Sequence, residues 1–329
     1  LEHRAAGQTD FMAEELAYHF SAAGEVDKAI KYSLQAARQA QLAYANETAL
    51  QWNERALTIL SQLTPEASAN YQPQLLLAHQ SSGMVLTLTG QYDEALKHYE
   101  AAQALLDAQP PSAEQRRQLA GLCYDIANVY ELRDEYSAVF TWLRKGLDAV
   151  ADSEPTVEAA RIYILGAKVY ARQGENTKAL GWCQKSLDIA IRIPTPEGTQ
   201  VLGAALYTQA GIDIRFGNPD NAIRLCRESI HAYQQIGDLV GESHTYIRLA
   251  DAYELKGDWS QADEAYQRGW AIKREIGDVH GQAISCNNLA NLYLKRGEWK
   301  GAQELYEKSL TIWENIHTPR GEAATLINL

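Results

Sequence analysis

The pattern G-x-[YWN]-x-x-A-x-x-x-[YWC]-x-x-[SAG] recurs along the chain at a nearly fixed interval. It reads Gly257, Trp259, Ala262, Tyr266 and Gly269, then Gly297, Trp299, Ala302, Tyr306 and Ser309, each residue 40 places after its counterpart. Earlier copies run through Gly90, Tyr92, Ala95, Tyr99 and Ala102, and through Gly174, Asn176, Ala179, Cys183 and Ser186. A unit of this length cannot bury its own apolar face, so it specifies a stack in which each copy packs on its neighbours. The 329 residues are therefore read as one quasi-linear array rather than divided into domains by length.

Within the unit that starts at Gly241, apolar residues fall at Tyr246, Leu249, Ala250 and Tyr253, the spacing of one helical face. Gly257-Asp258 breaks that helix, and a second follows with Ala262, Ala265, Tyr266, Trp270 and Ile276 as its periodic positions. Small residues such as Ala250 and Ala262 let the two helices approach, while Tyr253 and Tyr266 fill the space beside them. The expected product is an antiparallel helical hairpin.

The links between hairpins are equally regular: Ile236-Gly237-Asp238, Ile276-Gly277-Asp278, Ile193-Pro194-Thr195-Pro196 and Ile316-His317-Thr318-Pro319. Gly237 and Gly277 suit a left-handed helix C-terminus, and Asp238, Asp278, Thr195 and Thr318 suit N-caps, both threonines preceding a proline at the first helical position. Thr64-Pro65 repeats that start signal. With the alanine after each turn as a ruler, the marks fall at Ala29, Ala49, Ala95, Val139, Ala179, Ala222, Ala262 and Ala302, with gaps of 20, 46, 44, 40, 43, 40 and 40. The short opening gap makes residues 1–64 an irregular three-helix cap. Residues 65–329 then hold six hairpins and a truncated final helix. The chain opens without Met and closes part-way into that helix, so it is expected to be a piece of a longer polypeptide.

The formal net charge of −12 argues against a phosphate-backbone binder, and no nucleic-acid partner is expected. No run reaches the roughly 18 apolar residues needed to span a bilayer, and nothing at the start of the sequence resembles a signal peptide, so no membrane partner is expected either. Cys123, Cys183, Cys226 and Cys286 lie far apart without paired histidines and read as small buried hydrophobes in a reduced, cytoplasmic setting. The sequon Asn46-Glu47-Thr48 is then a chance occurrence. No phosphate loop, dinucleotide fingerprint, zinc-protease motif or nucleophile elbow occurs, and the eight histidines are scattered. The chain is expected to be no enzyme, with no catalytic residue, metal site or cofactor.

The residues Leu289-Ala290, Tyr293, Gly297, Ala302 and Tyr306 resemble the tetratricopeptide repeat family, although the unit is about six residues longer than the usual ~34 and lacks the terminal proline. The resemblance implies an all-α fold, an α-solenoid of antiparallel helix hairpins wound as a right-handed superhelix, in a long-helix variety. It also implies that the first helix of each hairpin lines a concave groove. Transferred by position, the groove residues are Tyr124, Asn128 and Glu131; Ile164, Lys168 and Ala171; Tyr207, Gly211 and Ile214; Ile247, Asp251 and Glu254; and Asn287, Asn291 and Leu294. Tyrosine and asparagine can hydrogen-bond an extended backbone, so the implied partner is a protein or peptide. Asn287, Asn288 and Asn291 form the densest cluster, but Asn287 replaces a basic residue, and a carboxylate clamp is not expected.

The opening stretch from Ala13 to Phe20, with Ala23-Gly24-Glu25 and Lys28-Ala29, resembles the segment that joins an NTPase module to repeats in bacterial signal-transduction (STAND-type) ATPases, including transcription activators. That resemblance implies an effector-sensing arm as the alternative to a protein-interaction scaffold. A third expectation is self-association through an unpaired face at Ala323, Leu326 and Ile327. One position breaks the pattern: Asp213 stands where Tyr130, Tyr170, Tyr253 and Tyr293 stand in other copies. The register predicts a buried carboxylate there, partnered by Arg215, Arg224 or Arg227 or relieved by a local helix shift.

Overall fold

The structure, a computed structural model, describes residues 12–43, 45–315 and 319–329. The link residue Thr318 lies outside them. The described residues are helical with short turns, and they fall into two compact units that part between Ser153 and Glu154.

The first unit contains α1 (Ala13–Ala22), α2 (Val26–Leu42), α3 (Asn46–Ser61), the single turn α4 (Pro65–Ser68), α5 (Gln72–Leu88), α6 (Tyr92–Asp107), α7 (Ala113–Leu132) and α8 (Tyr136–Ala149). Consecutive long helices pack as antiparallel neighbours. Leu76, Leu86, Tyr99, Leu106, Leu122, Ile126 and Val129 form the larger core here, and Tyr99 lies directly over Gly83. The turn before α8 carries Asp134 at φ 59°, where other copies have glycine; its carboxylate accepts a hydrogen bond from the Tyr136 hydroxyl at 2.8 Å.

Two histidines meet across the α5–α6 hairpin, His79 Nδ1 standing 3.0 Å from His98 Nδ1. Burial and the neighbouring imidazole push His79 down to about 4, and burial lowers His98 against the opposing pull of Glu94. Above about pH 6.5 both rings are neutral whether the chain is folded or not. Below that, the unfolded chain binds protons that the folded pair refuses, so stability falls until about pH 4 and then levels. For half-exposed rings the effect should be about 1–2 kcal/mol. Urea midpoints at about pH 7 and about pH 5 should diverge in the wild type and converge in His79→Gln; equal pH sensitivity in both would reject the assignment.

The second unit contains α9 (Val157–Arg172), α10 (Asn176–Ala190), α11 (Pro196–Arg215), α12 (Pro219–Ile236), α13 (Leu239–Lys256), α14 (Trp259–Glu275), α15 (Val279–Lys295), α16 (Trp299–Asn315) and α17 (Pro319–Asn328). Its core runs through Val201, Ala205, Leu206, Leu225, Cys226, Leu249, Ala250, Tyr253, Ala262, Tyr266, Leu289 and Leu292. The start signals act as expected. Thr195, Asp238 and Asp278 accept from the amides of Gly198, Gly241 and Gly281 at 3.2, 2.9 and 2.7 Å, and Gly237 and Gly277 are left-handed at φ 68° and 72°.

The last position of the repeated pattern also has a structural purpose. Ser186, Ser229 and Ser309 donate their hydroxyls to the carbonyls of Ala160, Gly203 and Ala283 at 3.0, 2.8 and 2.9 Å, each on the first helix of its hairpin 26 residues earlier. A small side chain is needed there because the second helix lies against backbone; a Cβ on Gly269 would stand 3.1 Å from the Ser243 carbonyl oxygen. All four cysteines are buried, and burial pushes the thiols of Cys123, Cys183 and Cys226 up to about 12, which keeps them protonated and inert.

Asp213 is 5% exposed, as the register predicts, but among the described residues no arginine hydrogen-bonds or ion-pairs with it. Its Oδ2 accepts from Asn221 Nδ2 at 2.7 Å and its Oδ1 from Asn218 Nδ2 at 3.4 Å. Arg224 reaches it only through Asn221, donating to the amide oxygen at 2.8 Å, and Arg227 donates instead to the Tyr253 hydroxyl at 2.7 Å. Amides at the start of α12 thus satisfy a carboxylate at the end of α11, and the pattern break is a structural hydrogen-bond cluster.

Candidate functional site

In the first unit Tyr124 and Asn128 are half-buried on α7, whereas Glu131 is buried at 5% exposure and offers no open carboxylate to a ligand. In the second unit Lys168 is exposed on α9. Ile164, Ala171 and Gly211 are buried in the packing between helices and do not belong to an open surface. Ile214 and Ile247 are half-buried, and Leu294 is exposed.

The remaining five candidates, Tyr207, Asp251, Glu254, Asn287 and Asn291, lie half-buried on α11, α13 and α15 and are held from behind or from the side. The guanidinium of Arg248 lies 4.2 Å from the centroid of the Tyr207 ring and donates to its hydroxyl oxygen at 2.5 Å. It occupies the space that a side chain at Gly211 would fill: a Cβ there would stand 2.1 Å from Arg248 Nη1. Sequence reasoning missed Arg248; the signal was the glycine opposite it in α11.

Behind α13 and α15, each second helix supplies a tyrosine. The Tyr266 hydroxyl points at Asp251 Oδ1 at 2.6 Å and Glu254 Oε1 at 2.9 Å, and the Tyr306 hydroxyl donates to Asn291 Oδ1 at 2.6 Å. Both relations span 15 residues from first helix to second, so they are the same contact in successive repeats. Where the second helix carries Cys183 or Cys226 instead, the equivalent first-helix residues are Lys168 and Gly211, and that position offers no tyrosine hydroxyl to orient them. Glu254 Oε2 additionally pairs with Lys295 Nζ at 2.5 Å, tying α13 to α15. Burial raises the Asp251 carboxyl against the opposing pull of the Tyr266 hydroxyl and the Arg248 charge, and burial together with the neighbouring Asp251 raises the Tyr266 phenol.

These bonds leave defined valences at the surface. With its oxygen engaged by Tyr306, Asn291 has Nδ2 unpartnered among the described residues. Asn287 donates to Thr325 Oγ1 at 2.8 Å while its Oδ1 is buried without a partner. No group of three metal-ligating side chains occurs among the described residues, and no described helix is long and apolar enough to cross a membrane. Leu326 and Ile327, expected to be unpaired on α17, are 57% and 84% exposed.

Within each unit, helical hairpins packed one on the next define an α-solenoid. Residues 201–275 and 283–318 match family models described as tetratricopeptide repeat, and these two stretches are tetratricopeptide repeats. No curated protein matches it significantly. Among solved structures it is similar to the Rap conjugation gene regulator of the plasmid pLS20 in complex with the Phr* peptide, at a TM-score of 0.63 and 13% identity, covering 90% of this chain and 76% of that one. It is similar to NprR in complex with its cognate peptide NprX, at 0.58 and 16%, covering 88% and 78%. A STAND protein with a tetratricopeptide repeat sensor from Pyrococcus horikoshii matches at 0.53 and 16%; the match covers 84% of this chain and 42% of that protein. At these identities the likeness is one of fold.

Proposed function

We propose that this chain is a non-catalytic, cytoplasmic interaction scaffold, and that the first-helix faces of α11, α13 and α15 bind an extended peptide or partner segment. The observation that carries the reading is the row of polar side chains fixed before any ligand arrives: Arg248 on Tyr207, Asp251 and Glu254 on Tyr266, Asn291 on Tyr306. Packed helices stand about 8–10 Å apart, close to the ~10 Å spanned by three residues of an extended peptide. Each helix can therefore meet every third peptide residue with an already oriented donor or acceptor, which limits the entropy lost on binding. The peptide complexes of the two similar structures support this reading.

A library of fluorescein-labelled decapeptides, screened by anisotropy against the intact chain, tests it. For a retained peptide, Asn291→Ala and Arg248→Met should each weaken binding about tenfold or more with circular dichroism unchanged. Retention of no peptide, or wild-type affinity in both variants, would sink the proposal. The likeness of residues 13–29 to NTPase-linked segments, together with the STAND structure, supports a second reading as a sensor arm. A phosphate-binding loop encoded upstream of Leu1 in the native gene would favour it, and a native start at Leu1 would end it.

A further inference from the structure

Within the first unit, α2 and α5 pack against each other and leave between them a cleft of about 470 Å³ lined by Arg38, Gln41, Leu42, Asn46, Met84 and Leu88. Leu42, Met84 and Leu88 are 74%, 47% and 71% exposed, and Leu77, seven residues before Met84 on the same face of α5, extends the stripe at 52%. Scattered exposed leucines need no explanation, but large apolar residues converging from two helices on one concavity do. Arg38 and Met84 precede their repeat marks Ala49 and Ala95 by 11 residues, the register that Asp251 and Asn291 hold in the second unit. The cleft is thus the first unit's version of the ligand-facing row, with apolar side chains where the second unit has polar ones.

Its walls are fixed. Gln41 Nε2 donates to Ser81 Oγ at 2.7 Å and to the Ser81 carbonyl at 3.3 Å, and Asn53 Nδ2 donates to the same hydroxyl oxygen at 2.7 Å, so one serine ties α2, α3 and α5 together beside the cleft. The volume is in the range of sites that hold ligands, roughly 300–1,000 Å³. Arg38 is the one charged residue in its lining, and it has no ion-pair or hydrogen-bond partner among the described residues. A cation left unpaired at the mouth of an apolar cleft, on a chain of net charge −12, selects an occupant that is apolar and acidic together.

We infer that this cleft binds an acidic-apolar segment of a partner protein, seating a leucine-sized or methionine-sized side chain among Leu42, Met84 and Leu88 with an adjacent carboxylate on the Arg38 guanidinium. The inference rests on the reading of first-helix faces as binding surfaces and adds the class of ligand at the first unit.

The test uses the full chain and a fluorescein-labelled decapeptide with a central Leu-Glu-Leu-Glu, compared with one form in which both leucines are serine and another in which both glutamates are lysine. The parent peptide should bind at least tenfold more tightly than either control. Arg38→Glu should reverse the preference between the glutamate and lysine forms, a result that general damage to the fold cannot produce, and Met84→Lys should weaken every form. Equal binding of the lysine form by the wild type, no binding of any form, or unchanged affinity in Arg38→Glu would overturn the inference. Wild-type self-association that Met84→Lys abolishes, without peptide binding, would also overturn it by making a second copy the occupant. If binding is lost in Asn291→Ala but unaffected by Arg38→Glu, the groove reading stands and the cleft alone fails.

Discussion

Asp278→Ala should destabilise the second unit by about 3–5 kcal/mol, while Lys273→Met should leave it nearly unchanged. The Lys273 ammonium is almost wholly buried, at 4% side-chain exposure, and its salt bridge is to Asp278 Oδ2 at 3.0 Å. The same carboxylate caps α15, its Oδ1 accepting from the Gly281 amide at 2.7 Å, and the Asp278 amide donates to the Lys273 carbonyl at 2.9 Å. Alanine at 278 therefore removes a cap, worth about 1 kcal/mol, and strands a buried positive charge, which is the larger effect. Methionine at 273 fills the same space without a charge and leaves the cap in place, and in the Lys273→Met background the cost of Asp278→Ala should shrink to that of the cap.

The pH dependence has a definite sign. Burial alone would push the Asp278 carboxyl up, but the Gly281 amide and the Lys273 ammonium hold it below the ordinary carboxylate range. A carboxylate depressed in the folded state stabilises the protein above its unfolded pKa, near 3.9, and that contribution is lost as pH falls through the lower folded value. Because stability in a repeat array is a sum of local terms and neighbour interfaces, the effect should appear first as faster hydrogen exchange in α14 and α15. Uniform destabilisation of both units by Asp278→Ala, or equal costs for Asp278→Ala and Lys273→Met, would contradict this account.

Much of the fold could be read from the chain because the repeat states each rule several times. Gly237 and Asp238 are a weak stop and start signal alone, but the same pair at Gly277 and Asp278 turns a local preference into a register. Burial was legible wherever it followed from period, as at Asp213 and the four cysteines. What period cannot carry is the reach of side chains. Arg224 and Arg227 lie near enough in sequence to serve Asp213, yet the shorter Asn221 lies closer and turns its amide inward. Glu131 shares a position with Glu254, yet period alone does not say that Glu131 is buried at 5% exposure or that Glu254 meets the exposed Lys295. The candidate site is legible in the sequence as a row and not as a network: position alone picks out Asp251 and Asn291 as candidates, whereas the tyrosines that orient them read only as core. A polar residue 15 positions before a tyrosine, rather than before a cysteine, is the signal that would have joined them.

Gly198→Ala should cost about 3 kcal/mol, although alanine is the better helix former. Gly198 is the third residue of α11, and Gly241, Gly281 and Gly321 recur at the same place in later repeats, three residues after the capping position. Here the preceding link folds back onto the new helix. A Cβ on Gly198 would stand 2.0 Å from the carbonyl oxygen of Ile193 and 2.7 Å from its Cβ. That oxygen cannot give way cheaply: it accepts from the Thr195 amide at 2.8 Å, the Ile193 amide donates to Ala190 at 3.0 Å, and Pro194 stiffens the link. At Gly241 the obstacle is the Tyr233 ring, with a nearest atom at 2.4 Å, so Gly241→Ala should cost less, because a side chain yields more readily than backbone. Gly181 supplies the opposite sign. It lies exposed within α10 with nothing within 4 Å of a new Cβ, and Gly181→Ala should stabilise by about 0.5–1 kcal/mol. Urea unfolding of the three variants should rank them Gly181→Ala above wild type, then Gly241→Ala, then Gly198→Ala. A Gly198→Ala protein as stable as the wild type would mean that the link does not press on α11 as closely as the structure places it.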